Sequence, residues 1–219
     1  MPSPRETLEA RRARLWGEER AALAAGARVV AGVDEAGRGP LAGPLVVAAV
    51  ILPLDWCPAG LNDSKQVPRA RREALYVEIC AAATACAVAV VSVDDIDRLN
   101  ILGATHAGMR AVLRALAPVP DLALIDGNPL PHPPVPARNL VQGDARSASI
   151  AAASILAKVT RDRLMALLDT ACPGYGFARH NGYGTAEHLE ALRRLGPTPH
   201  HRRSFAPVRD CAQGVLFGA

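Results

Sequence analysis

The run LVVAAVIL, from Leu45 to Leu52, carries no polar side chain. It is far shorter than the ~18–20 residues that a membrane-spanning helix needs, so it reads as a strand buried in a protein core. A chain of 219 residues can bury such a strand within one domain, or one domain with a small appendage. Half of the residues are hydrophobic but only 4% are aromatic, so the core must be built from Ala, Val, Leu and Ile. The amino terminus, MPSPRETLEARRARLWGEER, has charges throughout and no apolar stretch, which argues against a secretory signal and predicts a cytoplasmic protein. The five cysteines (Cys57, Cys80, Cys86, Cys172, Cys211) are scattered, odd in number and never in C-x-x-C spacing. They read as reduced thiols, neither a disulfide framework nor a zinc site. A net charge of +4 and a pI near 9.0 suit a polyanionic partner without requiring one.

Around that strand, apolar periodicity predicts an amino-terminal helix over 5–25, strands over 28–33 and 45–52, a helix over 68–84, and a strand over 86–93. A long helix follows over 94–116, then strands at DLALIDG and RNLVQGD, and a further helix over 147–169 with Ser147 as N-cap. A short helix over 185–195 is stopped by Gly196 and Pro197. Strands alternating with long helices indicate an α/β domain with a helical carboxy-terminal subdomain. The expected organisation is an extension over 1–26, a catalytic domain over 27–170, the subdomain over 171–208 and a tail over 209–219.

Acids stand at corresponding places in this pattern. Asp34 and Glu35 end the first strand, Asp126 ends the fourth, and Asp144 follows the fifth. Ligands gather at strand ends in open α/β sheets, so the topology can bring these carboxylates together. Clustered carboxylates repel, and either take up protons or are neutralised by a divalent cation; oxygen ligands without Cys or His select Mg²⁺ or Mn²⁺. Acids at strand ends also occur simply because strand ends meet solvent. Adjacent strand residues point to opposite faces, so Glu35 can join Asp34 only if the chain leaves the ladder there. Gly37 and Gly39 around Arg38 suit a tight turn, and equally a surface where backbone groups approach a sugar or phosphate closely. Arg38 could offer its planar donors to a phosphate.

DEAGRGPLAGP, NDSK (62–65), LIDG (124–127), GDARSASIAAASILAKVTRD (143–162), HNGYGT (180–185) and HRRSFAPV (201–208) together resemble bacterial ribonuclease HII, in order from about Arg28 to Val208. The resemblance implies an RNase H-like mixed sheet flanked by helices. It implies cleavage of RNA in RNA/DNA hybrids and at ribonucleotides embedded in duplex DNA, leaving 3′-hydroxyl and 5′-phosphate ends. By motif, Asp34, Glu35, Asp126 and Asp144 match the metal-binding, catalytic acids. Gly37, Arg38 and Gly39 match an element that senses the ribose 2′-hydroxyl, the group that distinguishes a ribonucleotide from its DNA neighbours. Tyr183 matches a tyrosine that stacks on the following sugar. Lys65, Lys158 and Arg161 are weaker candidates for phosphate contact, with packing or solvated roles as alternatives. Two departures stand out: Arg146 and Asn181 occupy positions where the family usually has Lys. His180, His200 and His201 could protonate a leaving oxygen, serve a structural role or bind phosphate.

Two other classes of function compete with this one. A hybrid-binding module without catalysis would bind the duplex and leave it intact, and a small-molecule phosphohydrolase would ignore duplexes. Beyond the resemblance, QGVLF near the carboxy terminus is similar to a Q-x-x-L-F sliding-clamp peptide. Gln213, Leu216 and Phe217 either dock on such a clamp or fold back on the domain. A monomer with no membrane attachment is expected.

Overall fold

The computed structural model describes residues 7–212. Five strands, β1 (Val30–Ala36), β2 (Leu45–Ile51), β3 (Ala85–Val91), β4 (Leu122–Asp126) and β5 (Ala137–Leu140), form one mixed sheet in the order β3-β2-β1-β4-β5. All of β2 is buried, as its lack of polar side chains requires. The edge strand β3 instead alternates, leaving Val88 and Val90 exposed. Strands β1, β4 and β5 are parallel, with Val33 opposite Ile125 and Asp126 opposite Leu140. Chain order reverses about β1, since β2 and β3 lie to one side of it and β4 and β5 to the other. In a sheet so ordered, the connections leave adjacent strands in opposite directions and open a crevice at their carboxyl ends. The last β1–β4 pair directly precedes Asp34 and Asp126.

The helices are α1 (Leu8–Leu15), α2 (Gly17–Ala24), α3 (Arg69–Ala82), α4 (Val93–Ala115), α5 (Ala148–Ala171), α6 (Phe177–His180), α7 (Ala186–Leu195) and α8 (Ala206–Ala212). Two differ from the periodicity reading. The expected amino-terminal helix is broken at Trp16, whose buried indole donates to the Trp56 carbonyl. The long helix α4 is kinked at Asn100, which takes φ 56°, while its side-chain oxygen accepts from the amides of Leu102 and Gly103 and restarts the helix. Asparagine tolerates that left-handed φ better than most residues. Among the described residues no helix is long and apolar enough to cross a membrane.

The chain packs as two compact units. Of the described residues, the first comprises 7–34, Val47–Ala89 and Met109–Ala157; the second comprises Glu35–Val46, Val90–Gly108 and 158–212. In the first, β1 lies against the first turn of α5 so closely that a Cβ on Gly32 would fall 2.1 Å from the Ser149 carbonyl carbon. Gly32→Ala therefore has no side-chain movement to relieve it. It is expected to cost about 3 kcal/mol in urea unfolding, the upper range for overpacking; a loss below ~0.5 kcal/mol would contradict this close packing.

The amino-terminal helices also grip the start of α5. The buried Glu19 accepts from Ser147 Oγ at 2.5 Å and Ser149 N at 2.9 Å, and Glu18 pairs with Arg138 and Arg146. Burial pushes the Glu19 carboxyl above its ordinary pKa against the pull of these hydrogen bonds. Ser147 in turn caps α5, accepting from Ile150 N at 3.1 Å. In the second unit, Asp97 accepts from the amides of Arg203 and Ser204, and Leu41, Leu192, Val208 and Cys211 share a small core.

Candidate functional site

Three acids of the first unit converge. Asp34 on β1, Asp126 at the end of β4 and Asp144 in the 3₁₀ turn Gly143–Ala145 each offer a carboxylate oxygen, and these oxygens lie within 4.8 Å of one another. Asp34 and Asp144 are buried and Asp126 is half-buried. The turn is fixed by the Gly143 amide, which donates to Asp126 Oδ1 at 2.6 Å. The absence of a side chain at Gly143 permits this packing, since a Cβ there would lie 2.6 Å from Ile150 Cδ1.

The strain of gathering negative charge is visible in Asp144. Burial, then the charges of Asp63 and Asp126, push its carboxyl up to about 6, against the attraction of Lys65. Lys65 is raised: burial lowers it, but Asp63, Asp144, Asp34 and Asp126 together outweigh that. Oxygen donors that repel each other, with no His or Cys among the three, are the chemistry that suits a hard divalent cation. These residues fit a metal, and the repulsion is what the cation would relieve.

Asp63 is a further acid at this cluster, outside the strand ends that group the other three. It lies in the loop before α3, hydrogen-bonds the Asp144 side chain, and accepts from the Lys65 amide at 2.9 Å. The signal was available as the acid of NDSK.

The raised Asp144 has a consequence for stability. An unfolded aspartate holds its proton only below its ordinary pKa, whereas the metal-free fold holds it up to about 6. The folded state thus binds the extra proton between those values, and this group's stabilisation is lost as pH rises through about 6. In chelator, the difference in melting temperature between the wild type and Asp144→Asn is expected to shift against the wild type from about pH 4 to pH 7. A difference independent of pH would contradict the crowding of carboxylates.

The group of converging oxygens is made by Asp34, Asp126 and Asp144. Strand β1 continues through Glu35 to Ala36, two residues beyond Asp34. Glu35 belongs to the second unit, where its carboxylate accepts from Arg38 at 3.4 Å.

That unit brings Gly37, Arg38, Gly39 and Tyr183 together. Gly37 takes φ 101°, and a Cβ there would lie 2.1 Å from Arg161 Nε. Gly39 faces the Tyr183 ring, since a Cβ on it would sit 3.5 Å from Tyr183 Cε1. The Leu41 amide donates to the Gly182 carbonyl at 2.8 Å, and Tyr183 itself is 47% exposed.

Two arginines with almost no exposed surface shape this loop. Arg202 donates to the carbonyls of Gly37, Arg38 and Gly43, and Arg161 to those of Ala42, Pro44 and Asn181. With the loop's carbonyls turned onto these guanidiniums, Arg161 is a scaffold and not an exposed phosphate contact. Burial lowers the pKa of Arg161 to about 10; burial and then the Arg161 charge lower that of Arg202 to about 9, so both remain cations at neutral pH. Nothing in HRRSF signals which of its arginines is buried, so Arg202 is not distinguishable there from Arg203. Lys158 pairs with Asp162 at 2.6 Å, Arg146 with Glu18, and His180 and His201 are buried. Asn181 takes φ 49° and gives its carbonyl to Arg161.

The ribonuclease HII family model matches residues 31–208. Ribonuclease HII of Geobacillus kaustophilus is 55% identical over 206 residues, covering 94% of this chain and 79% of that protein. The crystal structure of ribonuclease H2 from Pyrococcus horikoshii superposes with a TM-score of 0.71 at 26% identity, covering 87% of this chain and all of the other. The RNase HII in a PCNA:RNase HII complex from Archaeoglobus fulgidus gives 0.66 at 26% identity, covering 80% and 93%. With three acids at one sheet edge and a family match spanning nearly the whole sheet and its carboxy-terminal helices, the chain belongs to the ribonuclease HII family.

Proposed function

We propose that this protein is a metal-dependent endoribonuclease that hydrolyses RNA in RNA/DNA hybrids and at ribonucleotides embedded in duplex DNA. The convergence of Asp34, Asp126 and Asp144 carries this reading, within a chain that belongs to the ribonuclease HII family. These three, with Glu35 as a fourth ligand, hold Mg²⁺ or Mn²⁺. Divalent ions held there would supply an activated water and charge stabilisation at the leaving 3′-oxygen, so that the products would carry 3′-hydroxyl and 5′-phosphate ends.

The chain's own residues do the rest. Lys65, protonated among the acids, neutralises part of their charge and offers donors to a phosphate. The Gly37–Gly39 turn, its carbonyls held by Arg202, presents backbone groups to the ribose 2′-hydroxyl, and Arg38 adds a phosphate donor. Tyr183 stacks on the sugar that follows, where a second 2′-hydroxyl would crowd the ring. Gln213, Leu216 and Phe217, which lie outside the described residues, tether the enzyme to a sliding clamp; the Archaeoglobus fulgidus relative was solved with PCNA.

Incubating the protein with a duplex that holds one ribonucleotide tests the reading. A nick with Mg²⁺ or Mn²⁺ and none in chelator is expected; binding without a nick would reject it. Tyr183→Ala is expected to slow cleavage at an isolated ribonucleotide about tenfold more than cleavage within a continuous RNA strand, the scale of one stacking contact. Equal losses on the two duplexes would remove Tyr183 from the junction.

A further inference from the structure

Three buried histidines surround the backbone of Tyr183, and nothing in the hydrolytic chemistry uses them. His180, at the end of α6, stacks on His188 of α7 with ring centroids 4.6 Å apart, and His188 meets His201 through their Nε2 atoms at 3.0 Å. Phe177 packs against all three rings.

Their partners fix every ring proton. A neutral imidazole has one N–H and one acceptor nitrogen. The Tyr183 carbonyl can only accept, so His188 Nδ1, 2.9 Å away, bears the hydrogen and His188 Nε2 is an acceptor. The Thr198 amide can only donate, so His201 Nδ1, at 2.9 Å, is an acceptor and His201 Nε2 bears the hydrogen. The two assignments meet without conflict, since His201 Nε2–H donates to His188 Nε2. A one-way chain thus runs from the Thr198 amide through His201 and His188 to the Tyr183 carbonyl. His180 is equally determined: its Nε2 donates to the Tyr175 carbonyl and its Nδ1 accepts from the Gly182 amide.

Imidazoles thus hold two groups of this turn: His188 takes the Tyr183 carbonyl, which also accepts from the Thr185 amide at 2.8 Å, and His180 takes the amide of Gly182. The Tyr183 amide donates to the His180 carbonyl at 2.9 Å and the Gly182 carbonyl accepts from the Leu41 amide at 2.8 Å, so the imidazoles add to a backbone-bonded turn the contacts that link it to α7. Burial pushes His188 and, to about 4, His201 below the ordinary imidazole pKa, which keeps both neutral as this pattern requires.

We infer that His188, backed by His201, is a positioning residue for Tyr183: its Nδ1–H sets the ring's place and thereby the selectivity for an isolated ribonucleotide. This rests on the junction role given to Tyr183 above. The test compares cleavage of a single-ribonucleotide duplex with cleavage of a continuous RNA strand in a hybrid, using the full chain and melting curves to confirm folding. Asparagine places an amide near the imidazole Nδ1 position, whereas glutamine reaches the Nε2 position. His188→Gln is therefore expected to lower the single-to-continuous ratio about threefold or more, while His188→Asn stays within about twofold of wild type, as befits one hydrogen bond lost or kept. Equal ratios in the two variants, whether lowered or unchanged, would overturn the inference while the Tyr183→Ala shift leaves the stacking role standing. No shift in Tyr183→Ala itself would remove both. Should the variants fail to fold, ¹⁵N imidazole spectra of the wild type decide: an Nδ1–H tautomer at His188 and an Nε2–H tautomer at His201 are expected, and the opposite tautomer at His188 would overturn the proposal.

Discussion

Replacing Asp34 or Asp126 by asparagine is expected to reduce cleavage of a hybrid by roughly 10³-fold or more, the scale seen when a single preorganised electrostatic group is taken from a transition state. The change is nearly isosteric, so the fold should persist. It removes one negative charge from a group whose oxygens lie within 4.8 Å, and with it much of the attraction for a divalent cation. The loss should fall on kcat, because the Gly37–Gly39 turn and Tyr183, to which substrate contact is assigned in the proposal, belong to the other compact unit and are untouched. Hybrid binding measured in chelator should therefore stay within a few-fold of wild type. For Asp126→Asn one further effect follows: Oδ1 is where the Gly143 amide donates, so an amide nitrogen turned to that side would also disturb the turn that carries Asp144. Near-normal turnover by either variant under Mg²⁺ would reject the proposed ligands.

Arg202→Leu is expected to cost about 3–5 kcal/mol of stability, because each buried carbonyl left without its donor loses roughly 1–3 kcal/mol. Arg202 has no exposed surface and serves three carbonyls in the loop from Gly37 to Gly43. Leucine fills part of the space but gives those oxygens nothing to bond. Removing a buried cation also relieves its desolvation, which is why the expected cost is below the sum over the three carbonyls. Urea unfolding measures it, and a change below ~1 kcal/mol would show that the loop does not depend on this guanidinium. Lysine should not rescue, since a single ammonium cannot span three carbonyls in the way a planar fork does.

How much of this was legible in the sequence follows from the range of the interactions involved. The buried strand β2 was plain because every side chain in it is apolar, a purely local property. Asp34, Asp126 and Asp144 could be grouped because their places at strand ends repeat, and parallel pairing of β1, β4 and β5 then brings those ends to one edge. The break at Trp16 and the kink at Asn100 were not legible, because each is set by a single residue whose behaviour depends on what it meets in space. Gly32 looked like an ordinary strand residue until α5 was seen pressed against it. Arg161 and Arg202 were hidden for a related reason: an arginine in sequence reads as exposed, and only the loop's carbonyls, supplied from far along the chain, make burial tolerable. The histidine chain lay beyond reach altogether, since it joins Tyr183, His188 and His201 by hydrogen bonds that no spacing rule encodes.

If Asp34, Asp126 and Asp144 hold the ions that cut the strand, a divalent cation binds among their carboxylates. Anomalous diffraction from crystals soaked in Mn²⁺ tests it most directly. Anomalous density bounded by carboxylate oxygens of all three residues is expected, and its loss in Asp34→Asn. Density absent from this cluster, or unchanged in that variant, would contradict it.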